Sequence, residues 1–335
     1  MSEDHRAFPL FERFPTLVSL PRVGLGTFPS PVAHADTLAP GLWLKREDLD
    51  GEPLGGNKLR ALEFLLGGVG PGDSVVTVGA AGSTHALATA VYAVALGARA
   101  YCYRWPQEMN DIALRVAERI EREATETRVY RSLFRAYARA IARRIAGSRW
   151  VPAGGSSPLG VLGQVNAGME VAAQVRGGVL PRPDRIVVPL GTGGTVAGLA
   201  LGLTIAEMPI QIVGARVVPR VVANGSRVRR LIRRTAALIE HLTSERVPRP
   251  NREQVLIVHD YFGGAYGRVS AAGVHSALQC ETQTGIAIDP TYGAKALAAA
   301  VAIAQAEGGT TLFWLSFDGR WLGQHTAETH VVALG

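Results

Sequence analysis

Two stretches of this chain share a layout that leaves few folds open to it. Ser74-Val75-Val76-Thr77-Val78 is a continuous β-branched run that flows into Gly79-Ala80-Ala81-Gly82-Ser83-Thr84-His85 and then into an alanine-rich helical stretch ending at Leu96-Gly97. Arg185 to Leu190 does the same, running into Gly191-Thr192-Gly193-Gly194-Thr195 and a helix from Val196 to Leu203. Apolar runs without alternation mark strands buried on both faces of a parallel sheet. A strand, a glycine turn and a helix together collect free backbone N–H groups at the helix N-terminus, where they hold an anion.

Other segments extend the pattern. Strands are expected at Leu42–Lys45, Ala100–Tyr103, Gln211–Val217, Val255–His259 and Thr311–Leu315. Helices are expected from Lys58 to Gly67-Gly68, Asp111 to Glu123, Ser132 to Ala146, Leu159 to Gln174, Ser270 to Thr282 and Ala294 to Glu307, with an arginine-rich one after Val217. Pro9 to Pro40 reads as an extended arm, Arg46 to Gly51 as a charged turn, and Trp150 to Pro158 as a turn. Gly285 to Ile288 reads as a buried strand ahead of a turn holding Tyr292. At 335 residues the chain is long for one core, so two domains or one large α/β unit is expected. There is no internal repeat.

Composition removes several function classes. Of 35 basic residues only Lys45, Lys58 and Lys295 are lysines, and the formal charge is +7. The arginines of Arg115–Arg149 recur among Ala, Ile and Glu at helical spacing, which is the solvated face of an amphipathic helix. No nucleic-acid module accompanies them, so no nucleic-acid partner is expected. No apolar run spans a bilayer, and the charged stretch Met1–Arg13 lacks a signal-peptide core, so a cytoplasmic protein without a membrane partner is expected. Cys102 and Cys280 have neither metal-ligating nor disulfide-framework spacing, and no metal is expected.

Arginine cannot form an imine, whereas a lysine with a lowered pKa can. Lys58 follows the turn Gly55-Gly56-Asn57 and opens the periodic run Leu59, Leu62, Leu65, Leu66. In the first turn of a helix its ammonium loses a proton more easily. Taken alone it reads equally as a solvated lysine at a helix start. Gly191–Thr195 lacks both the Gly-Lys-Ser/Thr of a nucleotide loop and the dinucleotide G-x-G-x-x-G, and suits a monophosphate better than a bare βα turn. Ser83, Thr84 and His85 offer donors to a carboxylate, with His85 open to a capping role instead. Tyr292 is either core or site. A lysine, a monophosphate cradle, a carboxylate turn and a tyrosine on separate βα turns together describe pyridoxal 5'-phosphate bound with an amino acid.

In the order of its motifs the chain resembles the fold-type II pyridoxal-phosphate enzymes, and within them the D-cysteine desulfhydrase and 1-aminocyclopropane-1-carboxylate (ACC) deaminase family. The resemblance covers about Leu42 to Leu315. It runs through Lys45-Arg46-Glu47-Asp48-Leu49, Gly55-Gly56-Asn57-Lys58, Gly79 with Ser83 and His85, Gly154-Gly155-Ser156, Gly191–Thr195, Tyr266-Gly267 and Asp289-Pro290-Thr291-Tyr292 with Lys295-Ala296. It implies a tryptophan synthase β-like α/β fold of two open, twisted, mostly parallel sheets flanked by helices. Residues 55–165 would form a small domain, and residues 1–54 with 166–335 a large one.

By this resemblance Lys58 is the Schiff-base amine. Asn57, Thr84, Gly191, Thr192, Gly193, Gly194, Thr195 and Ser316 join it in binding the cofactor. Ser83, Thr84 and His85 meet the substrate carboxylate, and Tyr266 and Tyr292 flank the substrate; Lys58, Ser83, Tyr266 and Tyr292 make up the catalytic set. A small amino acid would undergo β-elimination to a 2-oxo acid and ammonia, in a homodimer. Ring opening, β-replacement, racemisation and cofactor binding without turnover stay open. Ser316 would face the pyridine nitrogen, and a neutral hydroxyl there suits elimination over a long-lived carbanion.

The chain departs from the family pattern at Thr84, where Asn is usual, and at Leu315–Gly319, where a His-Thr-Gly-Gly-like turn is ordinary. It departs again at Thr284, commonly Glu, and at Gly293, commonly Glu or Thr. Three of these changes are expected to line the pocket.

Overall fold

The computed structural model describes residues 8–264, 268, 270–289 and 292–322. The chain begins with α1 (Pro9–Arg13), β1 (Val32–His34), β2 (Leu42–Arg46) and α2 (Lys58–Leu65). Next come β3 (Ser74–Ala80), α3 (Thr84–Ala95), β4 (Arg99–Trp105), α4 (Asp111–Glu123), β5 (Glu126–Val129), α5 (Leu133–Ile145) and β6 (Arg149–Val151). The remainder comprises α6 (Pro158–Arg176), β7 (Arg185–Leu190), α7 (Gly194–Ile205), β8 (Gln211–Arg216), α8 (Gly225–Thr243), β9 (Val255–Val258), α9 (Ala271–Thr284), α10 (Gly293–Glu307) and β10 (Thr311–Leu315).

The strands form two sheets. One has the order β5-β4-β3-β6 and is parallel throughout; the other has the order β1-β2-β10-β7-β8-β9 and is parallel except for β1. Helices flank both, as the fold class expected. In the smaller sheet the chain winds outward from β3 through β4 and β5, then returns to the other side of β3 as β6. In the larger sheet it winds from β7 through β8 and β9, then returns to the other side of β7 as β10. Each sheet therefore has one topological switch point, and the carboxyl ends of the strands beside such a point are where open α/β sheets hold ligands. Those ends are the turns after β3, β6, β7 and β10.

Burial follows the sequence pattern. In β10 every residue is buried, and in β3 all but the first. The helix α4 buries only Ala113, Val116 and Ile120, one stripe at helical spacing, and leaves its charged face to solvent. By contrast α7 is buried nearly all round, between its sheet and α6.

Four expectations change. Trp150 and Val151, expected in a turn, belong to the strand Arg149–Val151, and Glu126–Val129, to which no element was assigned, is also a strand, each parallel at a sheet edge. Gly285–Asp289 is not a strand. The proline-rich arm is not wholly extended: α1 and a 3-10 turn at Pro15–Ser19 bury Leu10, Phe11 and Leu17 in the core around α6. The charged turn after Arg46 is buried at Glu47, Asp48 and Asp50, for a reason that lies in the site.

Candidate active site

The lysine loop is pinned from three sides. The N–H of Gly56 donates to Asp50 Oδ1 and to the Glu47 carbonyl, both at 2.8 Å. The N–H of Gly55 donates to Asp318 Oδ2 (2.9 Å), and that of Asn57 to the Ser316 carbonyl (3.2 Å) just past β10. The Asn57 side chain then works at both its ends. Its Nδ2 donates to Thr195 Oγ1 (3.0 Å), and its Oδ1 accepts from Lys58 Nζ (2.8 Å). Lys58 is thus presented at the first turn of α2 between β10 and the glycine turn of β7. Burial lowers its pKa to about 8, against the opposing pull of Asp289 and Glu47.

Behind the loop lies a buried ionic cluster. Arg60, one turn into α2, donates to both oxygens of Glu47 (2.6 and 2.7 Å) and of Glu170 (2.9 and 3.1 Å), and its guanidinium lies 4.0 Å from the centre of the Phe28 ring. Lys45 donates to Glu170, to Gln174 Oε1 (2.8 Å) and to the Ser30 carbonyl (2.7 Å). The charged turn after Arg46 is buried because each carboxylate is engaged: Glu47 completes this cluster, which joins the arm, β2, α2 and α6, while Asp48 accepts from Arg46 (2.7 and 2.9 Å) and Asp50 from the Gly56 N–H.

The glycine turn after β7 forms a cradle. Gly193, at φ +92°, caps α7 with no side-chain hydrogen bond, so the first N–H groups of α7 have no cap from a side chain where they line the cavity. Ser156 and Thr192 set their hydroxyls 2.6 Å apart there, and Arg227 Nε donates to the Thr192 carbonyl (3.2 Å). Gly154, at φ +66°, admits Thr192 so closely that a Cβ would fall 2.3 Å from Thr192 Oγ1.

The turn after β3 faces this cradle across the cavity. Ser83 caps α3 by accepting from the Ala86 N–H (3.2 Å), which leaves its hydroxyl proton to donate. Thr84 follows as the first helical residue and lines the cavity. His85 is buried with Nε2 3.3 Å from Thr77 Oγ1 on β3. Burial, then the charge on Lys58, pushes its pKa down to about 3, so it serves as a neutral hydrogen-bonding group and not as a cation.

Tyr292 and Ser316 also line the cavity, whose volume is about 360 Å³. Tyr266 lies outside the described residues. Asp289, a member of the quoted motif but not foreseen as a site residue, is buried at the cavity wall. Its Oδ1 accepts from the Tyr292 N–H (2.7 Å) and its Oδ2 from the Gly293 N–H (2.8 Å). A Cβ on residue 293 would stand 2.6 Å from that Oδ2, so glycine at this departure is what admits the carboxylate. Ser156 was likewise visible only as part of a motif. Of the four departures two, not three, line the cavity: Thr84 and the Leu315–Gly319 segment through Ser316 and Phe317; Gly293 and Thr284 do not line it, and Thr284 bonds to the Cys280 carbonyl (2.6 Å) at the end of α9.

These residues fit pyridoxal 5'-phosphate. An amine of lowered pKa stands between an uncapped helix N-terminus edged by hydroxyls, suited to a phosphate, and a serine hydroxyl at the end of β10, suited to a ring nitrogen. Hydroxyl donors at a second helix start suit a carboxylate.

Known proteins agree with this geometry. A family described as pyridoxal-phosphate dependent enzyme matches residues 23–316. The chain is 32% identical over 318 residues to nocardicin C-9' epimerase of Nocardia uniformis subsp. tsuyamanensis, covering 91% of this chain and 95% of that one. It is 28% identical over 319 residues to D-cysteine desulfhydrase of Klebsiella pneumoniae (strain 342), covering 84% and 88% respectively. The crystal structure of an ACC deaminase homologue superposes with a TM-score of 0.78 at 30% identity, covering 97% of this chain and 99% of that one. The chain belongs to the pyridoxal-phosphate-dependent enzymes of fold type II.

Proposed function

We propose that this protein is a lyase or deaminase that carries out β-elimination on an amino acid, giving a 2-oxo acid and ammonia. The observation that carries this reading is the position of Lys58: a lysine with pKa about 8, between a phosphate cradle and a carboxylate turn. Pyridoxal phosphate, when bound, supplies the electron sink that acidifies the substrate's Cα–H. The chain's own groups do the rest. The hydroxyls of Ser83 and Thr84 hold the substrate carboxylate, and the amine of Lys58 takes the Cα proton. Asn57 Oδ1 orients that amine, and Asp289 holds Tyr292 over the site through its backbone N–H. With pyridoxal phosphate bound, Ser316 would offer its ring nitrogen a neutral hydroxyl in place of a carboxylate, which would favour prompt departure of a β-substituent.

A panel of D- and L-amino acids assayed for ammonia and 2-oxo acid tests the reading, with Lys58→Ala as control. Products from at least one β-substituted member, absent in the variant, are expected. Absence across the panel overturns it. Epimerisation at Cα is the second reading, favoured by the 32% identity to the Nocardia epimerase. Chiral analysis of recovered substrate separates the two. The proposal extends to a small domain of residues 55–165 set against a large one of residues 1–54 and 166–335, to a homodimer, and to a cytoplasmic location. No described helix is long and apolar enough to cross a membrane.

A further inference from the structure

The cavity extends beyond Lys58 and its two turns to a second wall of different chemistry. Trp105, Pro106 and Leu133 line it from the smaller-sheet side, and Val218, Pro219 and Val222 from the segment after β8. None of the six carries a charge or an acidic proton. Gln107, the polar neighbour, is engaged by the Gly82 N–H (3.1 Å) and by the Glu108 carbonyl (3.3 Å). Among the described residues that line the cavity, the amine of Lys58 and the carboxyl of Asp289 act on each other by the lysine loop, away from this wall.

The wall is also built firmly. Trp105 stacks on Tyr137 with ring centres 6.0 Å apart and planes at 21°, and Tyr137 leans on Trp150 at 6.2 Å. The Trp105 carbonyl accepts from the Ala81 N–H (2.9 Å), which ties the main chain at Trp105 to the turn that carries Ser83. Lining residues stand in solvent on both sides, Leu133 at 41% exposure on one and Pro219 on the other, and their neighbours in sequence, Phe134 and Val221, are 82% and 81% exposed. Exposed apolar surface on both sides of one cavity fits an apolar occupant.

We propose, resting on the β-elimination reading, that the substrates are S-aryl or S-alkyl cysteines, whose apolar sulfur substituent lies against the Trp105–Val222 wall. The step balances as follows. Lys58 takes the Cα proton, and the Cβ–S bond breaks with its electron pair on sulfur. One water then hydrolyses the resulting 2-aminoacrylate, so that one substituted cysteine and one water yield one thiol, one pyruvate and one ammonium ion. Among the described residues the wall offers no acid to protonate the departing sulfur, so a thiol of low pKa, which leaves readily as the thiolate, suits it best.

The test uses the holoenzyme with both enantiomers of S-phenylcysteine and S-methylcysteine, measuring pyruvate and thiol. The expected kcat/KM for S-phenylcysteine exceeds that for S-methylcysteine by at least about tenfold, the scale on which an apolar pocket discriminates. In Trp105→Ala and in Leu133→Asp that ratio falls by about tenfold. A turnover-independent readout is quenching of indole emission by S-(4-nitrophenyl)cysteine in Lys58→Ala, largely lost in the double variant Lys58→Ala/Trp105→Phe. Turnover of S-methylcysteine with a phenyl-to-methyl ratio of one or less, or a ratio unmoved by both substitutions, overturns the substrate class and leaves the lyase reading standing. Failure to release pyruvate from any β-substituted amino acid overturns the lyase reading. In that event quenching lost with Trp105 still supports the apolar wall, and its absence overturns that as well.

Discussion

Of the three lysines, Lys58 alone lines the cavity. Lys45 is spent on Glu170, Gln174 and the Ser30 carbonyl, and Lys295 donates to the Phe262 carbonyl (2.7 Å). The pKa does not single Lys58 out, because burial brings Lys295 to about 8 as well. Position does. The reactive form of the amine is the neutral one, so its fraction grows as pH rises through about 8. The rate of cofactor uptake by apoenzyme, followed by growth of the visible band, is expected to rise with a midpoint near that pH. Asp289 favours the ammonium, so Asp289→Asn is expected to move the midpoint down; an unchanged midpoint would remove Asp289 from the electrostatics of the site.

The buried cluster gives a second prediction on the same scale. Burial alone would raise the Glu170 carboxyl, but Arg60 and Lys45 outweigh it and hold it at about 2, against an ordinary 4.5. The stability that this carboxylate contributes is therefore full above about pH 4.5 and lost as pH falls toward 2. Removing one member of such a cluster strands the others, and Glu170→Gln is expected to cost about 3 kcal/mol at pH 7 by urea denaturation. The gap between variant and wild type should narrow as pH falls from about 4.5 toward 2, since the unfolded chain takes up the carboxyl proton first while the folded chain holds the charge to about 2.

Among the elements, α2 carries the lysine and α6 is the surface it rests on. A Cβ on Gly163 of α6 would stand 1.8 Å from the Arg60 carbonyl of α2, a contact with backbone that no side-chain rotation relieves. Gly163→Ala is expected to cost about 2 kcal/mol through the forced separation of the helices. It should also weaken retention of the cofactor on dialysis, because α2 moves with Lys58; a lower Tm with unchanged retention would uncouple the two. The long apolar strands β3, β7 and β10 were legible from sequence because burial on both faces demands unbroken apolar runs. The strands β5 and β6 were not. Four and three residues long, and lying at sheet edges, they need no such run.

At the scale of the whole molecule, the switch points of two sheets bring turns from distant parts of the chain to one cavity. The glycine turns and the lysine could be read locally, since each needs a particular residue at a particular place. What holds them could not. Arg60 meets Glu170 across 110 positions of sequence, and Glu47 looks like any charged turn until those partners are present. Asp289 was legible as part of a motif, but its approach to the cavity depends on the missing side chain at Gly293. The apolar outer wall draws on β4, α5 and the segment after β8, whose residues share no local pattern.

The geometry has one chemical centre, the Lys58 amine. Holoenzyme reduced with borohydride, digested and sequenced by mass spectrometry is expected to carry the phosphopyridoxyl group on the peptide containing Lys58. The group on a peptide containing Lys45 or Lys295, or on no peptide, would contradict it.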